Sequence, residues 1–180
     1  MQAVHDATIP RSFIIWRMKR KRVIAVIGAG SDVEPAVSNA RALGKLIAEN
    51  GWVLISGGRD AGVMRAANEG AKSVTNSLTI GVMPDRDAKV SPALDVAIVT
   101  DTGNVRNNII VLSADVVIAC GIDGAGTASE VALALKNRKQ VVLLGVNEAA
   151  RKFFTGIGGD RIHIAETPKE AIAIARTMVE

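Results

Sequence analysis

Aromatic residues are scarce in this chain: two tryptophans, three phenylalanines and no tyrosine among 180 residues. Alanine, valine, isoleucine and glycine dominate instead. That balance disfavours an antiparallel sandwich and favours parallel strands covered by helices. The single cysteine, Cys120, cannot form an internal disulfide, which points to a reducing, cytoplasmic setting. The two histidines, His5 and His163, lie far apart and form no metal-ligand spacing with it. No apolar run approaches the length of a membrane span.

A surplus of positive charge on the folded part is lacking too. The net charge of +4 comes from residues 1–22, which hold Arg11, Arg17, Lys19, Arg20, Lys21 and Arg22 against Asp6. The remainder carries 16 bases and 17 acids, so it offers no nucleic-acid surface. Residues 1–22 read as a poorly ordered basic tail. Ser12-Phe-Ile-Ile-Trp16 is too short for a secretory segment and has no small-residue cleavage site after it. Met18 is a candidate natural start. Residues 23–180 read as one domain.

Glycine is plentiful, with 17 residues. The apolar β-branched run Val23–Ile27 reads as a strand and leads into Gly28-Ala-Gly30-Ser31. Ser31 or Asp32 is expected to cap the next helix, with Glu34 and Pro35 in its first turn. Val37, Ala40, Leu43, Gly44 and Ile47 follow at helical spacing, and Gly51 ends that helix. A lone Gly-x-Gly suggests a dinucleotide, but the third glycine is missing. Ser56-Gly57-Gly58 stands where an acid would hold a ribose, so NAD is rejected.

Trp52–Ile55 reads as a second strand, followed by Gly57-Gly58-Arg59-Asp60-Ala61-Gly62-Val63-Met64 and a helix through Ala71. Adjacent glycines after a buried strand suit close approach to a phosphate, with Arg59 adding charge. The same pattern also fits a plain strand-to-helix turn with a solvated arginine. Leu78–Met83 and Val96–Val99 read as strands joined by a polar loop over 84–94 that partly covers a site. Asp101 or Thr102 is expected to cap a helix carrying Arg106 in its first turns, where a cation opposes the helix dipole.

The densest stretch is Cys120-Gly-Ile-Asp-Gly-Ala-Gly-Thr-Ala-Ser-Glu130, between the strand Val116–Ala119 and the helix Val131–Lys136. Gly124 and Gly126 allow close backbone approach, and a helix start offers N–H groups to an anion. Thr127-x-x-Glu130 also reads as a capping box. Strands at Val141–Leu144 and Ile162–Ile164 and helices at Glu148–Phe154 and Pro168–Val179 complete the chain. The pattern predicts a single-domain Rossmann-like α/β fold, a doubly wound parallel sheet with helices on both faces and a crossover at each step. Glycine turns after strands one, two and five share the carboxyl edge, where such sheets bind ligands.

Gly57-Gly58…Gly62-Val-Met64, Gly81-Val-Met-Pro84, Arg106 and Gly124-Ala-Gly-Thr127-Ala-Ser-Glu130 occur in an order that resembles the Rossmann-like superfamily of the Lonely Guy phosphoribohydrolases, formerly labelled lysine decarboxylases. Within it, Gly126-Thr-Ala-Ser-Glu-Val-Ala-Leu-Ala-Leu-Lys136, Val141-Val-Leu-Leu-Gly145 and Lys152-Phe-Phe-Thr155 are similar to molybdenum cofactor carrier proteins. The resemblance spans roughly 22–180. It departs from the hydrolase hallmark at Ile122 and Asp123, where the hydrolases have Pro and Gly, and at Asn107, where they have Lys.

The resemblance implies two readings. In the first, a carrier holds a phosphorylated pterin, with its phosphate and oxo-molybdenum end on Gly28, Gly30, Ser31, Gly57, Gly58, Gly62, Met64, Gly124, Gly126 and Thr127, and with Arg59 and Arg106 adding charge-assisted bonds. The aminopyrimidinone edge of the pterin would meet Asp123, Asn107 or Asn108. The dithiolene supplies its own sulfurs, leaving Cys120 as a buried small hydrophobe. In the second, an enzyme releases base from a nucleoside monophosphate, with Arg106 and Glu130 as its catalytic pair. Pyridoxal-dependent decarboxylation is rejected, since no lysine sits in a recognisable Schiff-base context. The resemblance also implies a homodimer or homotetramer and molybdenum-enzyme acceptors. Val131, Leu135, Ile109 and Leu112 are available for core or interface.

Overall fold

The computed structural model describes residues 20–179, and the expectations about the tail and Met18 fall on residues outside that span except at 20–22. Arg20 pairs with Asp115, and the Arg22 carbonyl accepts from Val53 N at 2.8 Å, so these bases are tied to the sheet.

The sheet has seven parallel strands in the order β4-β3-β2-β1-β5-β6-β7. They are β1 (Val23–Gly28), β2 (Val53–Ser56), β3 (Leu78–Met83), β4 (Val96–Val99), β5 (Val116–Cys120), β6 (Gln140–Leu144) and β7 (Ile162–Ala165). Between and after them run α1 (Ala36–Glu49), α2 (Gly62–Lys72), α3 (Arg106–Ser113), α4 (Ala125–Lys136), α5 (Glu148–Gly158) and α6 (Pro168–Val179). The chain winds outward from β1 to β4, returns to β5 beside β1, and winds outward again to β7. Both neighbours of β1 are in register, Ile24 opposite Leu54 and Val116.

The continuous apolar runs read as strands because both faces of the sheet are covered. Ile24, Val26, Leu54, Ile118 and Val142 pack under α1, α2 and α6. Ala25, Ile27, Val117, Val141 and Leu143 alternate to the other face, under Ile110 of α3, Val131 and Leu135 of α4, and Phe154 of α5. Val131 and Leu135 are thus core. Ile109 and Leu112 are not, at 39% and 46% exposed.

The step from β3 to β4 carries no helix; residues 84–95 cross as the loop expected there. All four residues of β4 are exposed, because its apolar run lies on the sheet edge. Helix α1 begins at Ala36, after Pro35, and neither Ser31 nor Asp32 caps it. Glu34 Oε2 instead accepts from Ser38 N at 3.2 Å.

Helices α1 and α2 cross with backbones in contact. A Cβ on Gly44 would overlap the Ala67 carbonyl, and one on Gly70 would overlap the Arg41 carbonyl. Only glycine at both positions lets the helices approach this closely, which fixes the turns preceding them relative to each other.

Candidate functional site

The carboxyl ends of β1, β2 and β5 meet where the winding reverses, and their turns enclose a cavity of about 300 Å³. From the first turn, Gly28, Gly30 and Ser31 line it. The second contributes Gly57, Arg59 and Met64, and the third Asp123, Gly124, Gly126, Thr127 and Glu130. Arg106 and Asn107 close it from α3.

Two expected residues have other roles. Gly58, at φ +72°, turns away from the cavity; a Cβ there would press on Met83 Sδ at 2.6 Å and Gly81 Cα at 2.9 Å. Gly62 joins the first two turns. A Cβ on it would overlap the Ala29 carbonyl, to which Val63 N donates at 3.0 Å. Both shape the site without lining it. Asn108 also points elsewhere, its Oδ1 accepting from Asn137 Nδ2 at 3.1 Å. Asn104 lines the cavity unforeseen, since one asparagine in a polar turn carries no distinguishing pattern.

The capping box is not formed. Helix α4 starts at Ala125 with extended Gly124 as its N-cap, and no side chain caps it. Its first backbone bond runs from Ala128 N to Gly124 O at 3.1 Å. The N–H groups of Ala125, Gly126 and Thr127 precede that bond and are the open donors of the helix start. Thr127 and Glu130 therefore sit in the first and second turns, buried and lining the cavity. The α3 expectation shifts similarly: a 3₁₀ turn over Gly103–Val105 precedes it, no side chain caps it, and Arg106 is its first residue.

Arg106, Asn107 and Glu130 are 7%, 7% and 8% exposed. Arg106 Nη1 donates at 2.7 Å to both the Gly57 and Val82 carbonyls, bracing the second turn and the end of β3. Its Nε and the Asn107 Oδ1 are buried without partners. Burial works against the Arg106 charge, Glu130 supports it, Arg59 opposes it and Asp85 supports it. Burial lifts Glu130 from the ordinary 4.5 to about 7, while Arg106 and then Arg59 pull it back down. Glu130 forms no hydrogen bond or ion pair among the described residues.

Arg59 is exposed, and a Cβ on Gly30 would touch its Nη2 at 2.7 Å, so its guanidinium lies across the first turn. The 84–94 loop is stapled beside it by Asp60 N to Lys89 O at 2.8 Å and Ser91 N to Gly58 O at 2.9 Å. That loop walls a separate hollow, with Arg59 common to both. Cys120 is fully buried and donates from Sγ to the Ala36 carbonyl at 3.1 Å; burial, then Asp123, pushes its thiol up to about 12. It acts as the buried small hydrophobe expected.

Open helix N–H groups with two arginines lining the same cavity have the chemistry to hold an anion. The fold and that site define a Rossmann-like α/β protein with a polar cavity at the switch point of its sheet. The SLOG cluster4 family model matches residues 21–172, and the chain belongs to that family. The molybdenum cofactor binding protein of Rippkaea orientalis is 47% identical with a TM-score of 0.85, covering 90% of this chain and 99% of that one. The molybdenum cofactor carrier protein of Chlamydomonas reinhardtii is 45% identical with a TM-score of 0.83, covering 88% and 99%. An uncharacterized protein of Archaeoglobus fulgidus is 43% identical over 149 residues, 83% of this chain and 91% of its own.

Proposed function

We propose that this protein binds and carries the molybdenum cofactor. The observation that carries the reading is the uncapped start of α4 at the sheet's switch point, opening between Arg59 and Arg106. The phosphate would rest on the N–H groups of Ala125, Gly126 and Thr127, with Arg59 reaching it from the first turn. The cofactor-binding and cofactor-carrier structures that share nearly half of its residues support the cargo.

The test is anaerobic incubation with freshly released cofactor, gel filtration, and assay of the protein peak for molybdenum and oxidised fluorescent pterin. Near-stoichiometric amounts of both are expected. Gly126→Val is the matched control. A Cβ there meets no atom within 4 Å, so the variant folds, but its side chain obstructs the approach to the helix start. Wild-type loading of that variant would remove α4 from the site.

A second reading draws on the buried carboxyl of Glu130 facing Arg106. It is a phosphoribohydrolase reaction in which Glu130 positions water or supports an oxocarbenium-like ribose. Base release from nucleoside monophosphates, lost in Glu130→Ala, is its signature.

In the carrier reading the acceptors are molybdenum enzymes, the setting is the cytoplasm and the protein is a homodimer or homotetramer. Exposed apolar residues on β4 and α3 support assembly. Among the described residues no helix is long and apolar enough to cross a membrane.

A further inference from the structure

Glu130 is out of place in a site for anions alone. It sits on α4 just past the open N–H groups, 8% exposed, with no group of the chain donating to it among the described residues. The charged and titratable groups around it are Arg106 on α3, Arg59 in the β2–α2 turn, Asp123 in the β5–α4 turn and, beyond Arg106, Asp85 in the β3–β4 loop. Arg106 Nη1 is spent on two backbone carbonyls and Arg59 lies against Gly30. A desolvated carboxylate without a donor is costly, and it repels phosphate. A pocket for phosphate alone gains nothing from it. Lining the same cavity, Asn107 keeps Oδ1 without a donor at 7% exposure. The cavity therefore has an exposed rim of N–H donors at Ala125 and Gly126 and a buried wall carrying two acceptors, one of them a carboxylate.

We propose that Glu130, assisted by Asn107, is the specificity residue for the ligand's ring, accepting hydrogen bonds from an aminopyrimidinone edge while the ligand's phosphate lies on the start of α4. This assignment rests on the phosphorylated-cofactor reading above, and it replaces exposed Asp123 as the acceptor. An aminopyrimidinone presents a ring N–H beside an amino group, two parallel donors that a carboxylate takes together. Pterin and guanine share that edge. Adenine places a bare ring nitrogen there, and an acceptor would then face the carboxylate. The donors favour ionised Glu130, so a ligand bearing them releases a proton from it; a ligand bringing only negative charge makes it take one up.

The test is calorimetric titration of the full chain with GMP, AMP and a metal-free pterin carrying a side-chain phosphate, at about pH 6 and about pH 8. GMP and AMP carry the same phosphate, so their ratio isolates the edge. The two aminopyrimidinone ligands are expected to bind at least about tenfold tighter than AMP at the higher pH, with the ratio shrinking at the lower. Whichever of them binds tighter identifies pterin or nucleotide as the source of the edge, and either supports the assignment. Glu130→Ala and Glu130→Gln are expected to erase both the ratio and its pH dependence, with unchanged circular dichroism. Equal binding of GMP and AMP by the wild type, a ratio that survives both substitutions, or binding of none of the three would overturn the proposal. Cofactor co-elution without the ratio sinks this assignment and leaves the carrier reading standing. A Glu130-dependent ratio without co-elution supports the assignment and sinks the carrier reading.

Discussion

Glu130 has a thermodynamic signature in the empty protein. Its carboxyl titrates near 7 when folded and near 4.5 when unfolded. Between those values the folded chain holds a proton that the unfolded chain has lost, so stability falls as pH rises through the window. The loss approaches about 3 kcal/mol above it, at 1.36 kcal/mol per pH unit. Glu130→Gln is expected to flatten that slope and to be more stable than wild type above neutrality, measured by urea midpoints across pH. Arg106 behaves oppositely. Arg106→Ala strips a donor from two buried carbonyls and is expected to cost about 2–4 kcal/mol in urea unfolding, apart from any effect on ligand. Arg59→Ala is the cleaner probe of the anion site. The Arg59 side chain is exposed and forms no hydrogen bond or ion pair among the described residues, so stability should hold while phosphate affinity drops about fivefold to a hundredfold.

At the scale of elements, the site depends on how closely two helices cross. Gly44→Val or Gly70→Val is expected to cost about 3 kcal/mol or more by thermal or urea unfolding, since the obstacle is backbone carbonyl rather than a movable side chain. Ligand affinity should fall too, because the first and second turns precede the helices forced apart. Much of this architecture was legible in the sequence. The runs at Leu78–Met83 and Val96–Val99 matched the strands residue for residue, because length and β-branching suffice to mark a strand. Burial was less legible: Val-Ala-Ile-Val reads the same at an edge as in the centre, and only the sheet order shows that β4 is last. The glycine turns were visible, and most of their expected residues do line one cavity. The register of α4 was not. Thr127 and Glu130 have the spacing of a capping box, but the turn closes at Gly124, which carries both inward. Nor does spacing show that Arg106, a cation at a helix start, folds in to brace Gly57 and Val82.

At the scale of the whole molecule, the outer edge carries apolar surface that the described residues leave uncovered. Val96, Ile98 and Val99 on β4 are 43%, 45% and 52% exposed, and Val105, ahead of α3, is 70% exposed. An unpaired apolar edge of this kind invites another strand or another copy. The proposed homo-oligomer predicts that Ile98→Lys combined with Leu112→Glu lowers the mass in multi-angle light scattering while leaving the monomer folded. An unchanged mass would place the interface elsewhere. The one thiol of the chain lies on the far side of this balance. Cys120 ends the strand that feeds the ligand turn, yet its proton stays on and its sulfur is committed to Ala36. A thiolate pointed into the cavity would compete for the metal of the cargo and turn delivery into ligand exchange. In the carrier reading, with the sulfur withdrawn, release of the proposed cargo would break hydrogen bonds and ionic contacts at the rim and no bond between protein and metal.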